Sequence, residues 1–86
     1  DDAARFAFLT TREVDATNAA QMHDLAADLL HYSPEPRVIE RLIRSAELLG
    51  RTEEADWHRE RYAAAHPAAY ARWQRAATPA SAPAGR

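Results

Sequence analysis

The sequence predicts an all-α fold, a short array of helical hairpins with three to four helices and a disordered C-terminal tail. Three observations carry this reading. Apolar residues recur at helical spacing from Ala19 to Leu29 and again from Val38 to Leu49. The breaks fall at Pro34, Pro36, Gly50 and Pro67, residues that end or start helices. Gly50, Ala55 and Pro67 also keep the order and spacing of a hairpin repeat of roughly 34 residues.

The elements follow in order. Residues 1–12 read as an irregular lead-in with at most one helical turn, because Phe6 and Phe8 share no clean helix face. Their aromatics are expected to cover the end of the helical core. The first full helix runs from about Asp15 to His31, with Thr17 and Asn18 as cap candidates. Ala19, Met22, Leu25 and Leu29 form its apolar face, and Asp24 and Asp28 are a like-charge pair away from it. Pro34 and Pro36 stop it.

The second helix starts near Ser33 and buries Val38, Ile39, Leu42, Ile43, Ala46 and Leu49. Glu40–Arg44 and Glu47–Arg51 are i,i+4 pairs in the favourable order, and Gly50 is the expected left-handed stop. The third helix opens at Thr52, where Glu53, Glu54 and Asp56 complement the positive end of the helix dipole. Ala55, His58, Tyr62 and Ala65 make one stripe on it, with Trp57 and Arg61 on another. A fourth helix, about Pro67 to Ala77, sets Tyr70, Trp73 and Ala77 on one face and acts as a cap. The predicted organisation is thus a lead-in at 1–12, a helical domain at 13–77 and a disordered tail at 78–86.

Composition excludes several classes. With 86 residues there is room for one small domain, which buries only roughly 60% of its unfolded surface. A net charge of −2 supplies no basic field for nucleic acid. Every one of the 11 basic side chains is arginine, a pattern that goes with alanine richness as a codon-composition effect. The absence of cysteine rules out disulfides and thiolate metal sites. No apolar run approaches the roughly 18 residues of a membrane span, so no direct insertion is expected. A chain that begins at Asp1 rather than methionine is expected to be a fragment or a processed product.

No catalytic constellation stands out. His23 and His31 are spaced too far apart for one ion, as are His58 and His66, and no H-E-x-x-H motif is present, so neither a metal nor a cofactor is expected. His58 is read as a partner of Glu54 or as a packed amphipathic side chain. Glu53–Glu54 and Asp56–Glu60 could be paired acid/base groups, but negative charge at a helix start is the simpler account. Two surface features remain as interaction candidates. Arg37, Arg41 and Arg44 form a ridge that is either a solvated, salt-bridged face or a surface for an acidic ligand, a peptide or a neighbouring part of a longer protein. Trp57 either packs on another helix or belongs to a protein interface.

Two resemblances add to this. The hairpin from Pro36 to Ala69 resembles a tetratricopeptide unit, with Ile39 and Leu42 where that family carries a large aromatic. The first helix resembles the second half of a preceding, incomplete unit: setting Pro34 on Pro67 places Met22 on Ala55 and Leu29 on Tyr62. Further, L-L-H-Y-S-P-E-P-R-V-I-E-R-L (Leu29 to Leu42), L-L-G-R-T-E-E-A (Leu48 to Ala55) and A-H-P-A-A-Y-A-R-W (Ala65 to Trp73) resemble the C-terminal domain of bacterial O-antigen polymerase/ligase-type membrane proteins, including pilin-type protein O-oligosaccharyltransferases. That resemblance implies a domain cut from an inner-membrane enzyme that transfers or polymerises lipid-linked glycan at the periplasmic face, with the chemistry in the membrane part. Its implied partner is that membrane part or another protein. The other reading is a stand-alone tetratricopeptide-like protein-binding module.

Overall fold

The computed structural model describes residues 1–77, which form five helices and no strand. They are α1 (Asp2–Thr10), α2 (Ala19–Leu29), α3 (Pro36–Leu48), α4 (Thr52–Ala65) and α5 (Pro67–Ala77). The all-α expectation holds, but the count of three to four helices does not, because the supposed lead-in is α1. The tail expected at 78–86 lies outside the described residues.

α1 forms because both of its ends are closed by side chains. Asp1 accepts from the Ala4 amide at 2.7 Å, and Asp2 adds negative charge to the first turn. At the other end Thr10 Oγ1, Thr11 Oγ1 and Arg12 donate to the carbonyls of Phe6, Ala7 and Phe8. Arg41 then reaches over from α3 to the carbonyls of Leu9 and Thr10, each at 2.9 Å. Orphan carbonyls at a helix end need such partners. With the helix set, Leu9 is fully buried, and Phe6 and Phe8 lean on the core from either side of it. Their i,i+2 spacing disguised the helix, since they flank its buried line instead of defining it.

α2 starts at Ala19, later than the expected start near Asp15. The Asp15 carboxylate accepts from the Thr17 amide, the Thr17 hydroxyl and the Asn18 amide, and Asn18 Oδ1 accepts from the Asp15 amide at 2.9 Å. These local bonds hold a turn that competes with helix. The hydrogen bonds from Thr17 keep the Asp15 carboxyl below the usual carboxylate range. α3 likewise begins at Pro36 instead of Ser33, with Glu35 at the cap position and proline at the first turn, where its missing N–H leaves nothing unsatisfied.

The hairpin turn is as expected. Gly50 takes φ +78°, the Gly50 amide donates to Glu47 O and the Arg51 amide to Ala46 O at 2.8 Å. That pair of bonds closes the end of α3 through a left-handed residue.

Packing is organised by α3, which serves two apolar clusters. Val38 and Leu42 join Leu9, Met22, Ala26 and Leu29 in a cluster shared with α1 and α2. Ile43 and Ala46 join Ala55 and Tyr62 of α4, and Ile39, Ala69, Tyr70 and Trp73 lean on that second cluster. α1 therefore sits on α2 and α3, while α5 closes α4 and touches α3. Ala55 is buried at the close approach of α3 and α4, where a larger side chain would push the hairpin open. No residue of α5 is fully buried, in keeping with its capping position.

Replacing Gly50 by alanine is expected to destabilise the domain by about 1–2 kcal/mol. The cost comes from backbone conformation alone, because a β-carbon there meets no atom within 4 Å. Gly50→Asn should lose less, and urea denaturation of the three proteins orders them.

Candidate functional site

The arginine ridge divides when its partners are read out. Arg41 is committed to the fold through its two bonds to α1. Arg37 is exposed, pairs with Glu35 at 3.0 Å and lies over the Phe6 ring. Arg44 pairs with Glu47 at 3.3 Å and lies over Trp73. Glu47 also pairs with Arg59 of α4, which faces the same Trp73 ring. The i,i+4 pairs expected from sequence do not form. Glu40 instead accepts from the Tyr62 hydroxyl, Glu47 bridges Arg44 and Arg59, and Arg51 lies nearer Glu54. Arg41 and Arg44 do line a polar cleft of about 190 Å³ with Arg12, Glu13, Glu40 and Trp73. Its charges are mixed, with Arg12, Arg41 and Arg44 set against Glu13 and Glu40.

A part-buried polar cluster sits between α2 and α4. Glu54 Oε2 accepts from His23 Nε2 at 2.6 Å and from His58 Nε2 at 3.1 Å. The Glu54–His58 pairing is the one anticipated from spacing. The His23 contact was not visible in sequence, because it joins residues 31 apart. Burial pushes the Glu54 carboxyl up, but the two histidine hydrogen bonds and their charges outweigh it and hold it below the usual range. Among the described residues no set of His, Asp and Glu is arranged to hold a metal ion. Tyr62, fully buried, has its hydroxyl pushed far above its ordinary value by burial and then by its bond to Glu40, so it acts only as a donor.

Trp57 is 55% exposed and packs on neither the first cluster nor the second. It stands edge-on to His58, and the Arg61 guanidinium lies 4.8 Å from its ring centre. Trp57, His58, Arg61, Tyr62, Ala65 and His66 form one wall of a groove of about 280 Å³. Leu30 and Pro34, from the loop after α2, and Ile39 and Leu42 of α3 form the other wall. The structure thus puts Trp57 beside an open apolar groove, and puts Arg37, Arg41 and Arg44 elsewhere. Arg61 and the groove were missed in sequence, where Leu30, Pro34 and Trp57 belong to three separate elements.

The described residues form a small all-helical domain of five helices, with polar side chains tying helix to helix. The chain belongs to the family described as virulence factor membrane-bound polymerase, C-terminal, which matches residues 1–81. No curated protein and no solved structure matches it. The family match bears out the resemblance drawn from Leu29 to Trp73 and extends it to α1. The family is one of membrane-bound polymerases, while no helix among the described residues is long and apolar enough to cross a membrane.

Two outcomes follow for the polar groups. Arg41→Met should cost about 1.5–3 kcal/mol, the range for hydrogen bonds from a charged group. It should also raise amide exchange in α1, whereas Arg37→Ala stays within about 1 kcal/mol, as exposed pairs do. For Glu54 the folded carboxyl is held below its unfolded value, so the unfolded chain binds the extra proton. Its contribution is complete above the ordinary glutamate range and is lost as pH falls through the folded value. Acid denaturation of wild type and Glu54→Gln should show a shallower pH dependence in the variant below that range.

Proposed function

We propose that this chain is a non-catalytic interaction or structural domain of a bacterial membrane-bound glycan polymerase or ligase, acting in O-antigen or protein O-oligosaccharyl transfer. It faces the periplasm and docks on the membrane part of that enzyme or on another protein. The observation that carries the reading is family membership over residues 1–81. Supporting it, the polar groups that do converge each join one helix to another. Arg41 holds α1, the Glu47 carboxylate holds Arg44 and Arg59, and Glu54 holds His23 and His58. Groups fixed in this way are not poised to attack a substrate or carry its proton. The hairpin is tetratricopeptide-like in its placing of Gly50, Ala55 and Pro67, and such hairpins present their faces to other polypeptides. The family description favours this reading over a stand-alone binding module.

Removal of the domain from the full-length polymerase tests the proposal. The expected result is a shortened or depleted polymer, seen by gel separation of the glycan product, while the 86-residue chain alone transfers no glycan. Transfer by the isolated chain would overturn the non-catalytic reading. Unchanged product and unchanged enzyme abundance after removal would overturn the supporting role.

A further inference from the structure

We propose that the groove beside Trp57 is a docking site for an acidic, apolar-anchored polypeptide segment, with Arg61 binding a carboxylate of that segment. The inference rests on the docking reading above and names the chemistry of the partner.

Size is the first consideration. At about 280 Å³ the groove lies just below the roughly 300–1,000 Å³ of small-molecule pockets. It suits a few side chains presented by a helix or an extended segment. Its floor is apolar, from Leu30, Ile39, Leu42 and Ala65, so the occupant must bring apolar anchors.

Charge is the second. None of the ten residues lining the groove is acidic, although the chain has 13 acidic residues against 11 basic ones. Arg61, His58 and His66 are its polar rim. The nearest carboxylate in contact with that rim is Glu54, bonded to His58 and already shared with His23. Arg61 has no ion pair among the described residues, in contrast to Arg5, Arg37, Arg44, Arg51 and Arg59. Its guanidinium stays against the Trp57 face. A guanidinium stacked in that way keeps its edge N–H groups outward, the geometry that accepts a carboxylate in bidentate fashion. Tryptophan and arginine beside an apolar depression are also the residue types that dominate binding energy at interfaces.

The test uses the 86-residue chain labelled with ¹⁵N, reading the Trp57 indole N–H against Trp73 as internal reference. The probes are a blocked amphipathic peptide of leucine and glutamate, and its twin with each glutamate changed to lysine, each added up to about 1 mM. The expected result is a saturable shift of Trp57 with the glutamate peptide and at least about tenfold weaker binding of the lysine twin. Arg61→Gln, at an exposed position, should abolish that preference while leaving the helical spectrum unchanged. Equal binding of both peptides, or a preference that survives Arg61→Gln, would overturn the carboxylate site. No shift at Trp57 with either peptide would overturn the groove itself. A Trp57 shift that follows protein concentration alone would replace the proposal with a contact between two copies. Each of these failures leaves the domain-removal experiment free to succeed, so the two readings fail separately.

Discussion

Everything in this domain depends on α3 serving two apolar clusters from one broad buried stripe. A helix in a thin array has a single neighbour on each side and little core behind it, so its own side chains must serve two clusters. Val38 and Leu42 meet α1 and α2, while Ile43 and Ala46 meet α4. Burying a side chain of this kind contributes roughly 1.5–3 kcal/mol. The central helix is therefore the element that contributes to both clusters. The outer helices bury only one face each, which is why α1 and α5 need help from elsewhere. α5 gets it from rings, with Tyr70 and Trp73 set 5.6 and 5.9 Å from the Tyr62 ring. α1 gets it from Arg41.

The charged residues act mostly as cross-links between helices. Arg5 of α1 pairs with Asp28 of α2, which relieves the Asp24–Asp28 repulsion expected from spacing. Glu40 of α3 receives the hydroxyl of Tyr62 from α4, Glu47 of α3 receives Arg59 from α4, and Glu54 of α4 receives His23 from α2. A single bond of this sort adds only a modest net amount to stability. The more certain effect of these bonds is on specificity, because a slip of one helix along another would leave several carboxylates without partners. Among the buried side-chain polar atoms described, none lacks a hydrogen-bond partner.

Much of this was legible in the sequence, and the parts that were not share one cause. α3, α4, the Gly50 turn and the Pro67 boundary each rest on local signals: periodicity over several turns, a left-handed residue, a proline. α1 was not legible because its determinants are split. Its own Phe6 and Phe8 fit no simple face, and the arginine that completes its end lies 32 residues away in α3. The turn at Asp15–Asn18 was read as the first turn of a helix, since side chains that cap a helix and side chains that replace one are of the same types. Among site residues, the arginine ridge was legible as a ridge, but the commitment of Arg41 to the end of α1 was not. A periodic row of arginines looks the same whether its partners are solvent, a ligand or the end of another helix.

The same comparison separates the side chains that link helices from those that do not. In a chain of near-balanced charge, most side chains that can find an internal partner do so, as Arg41 and Glu54 show. Leaving a large aromatic half in water forgoes burial worth roughly as much as a core side chain. Trp57 shares its side of α4 with Tyr62, bonded to Glu40 of α3, and with His58, bonded to Glu54 of α4 itself. Arg61 sits one turn beyond Trp57 on α4 and stacks on its ring, away from every carboxylate bond that links the helices. Helix geometry places the two on one line because residues four apart face the same way. That line borders the gap left between α4 and the loop after α2, where the hairpin array ends one layer and no described helix supplies the next.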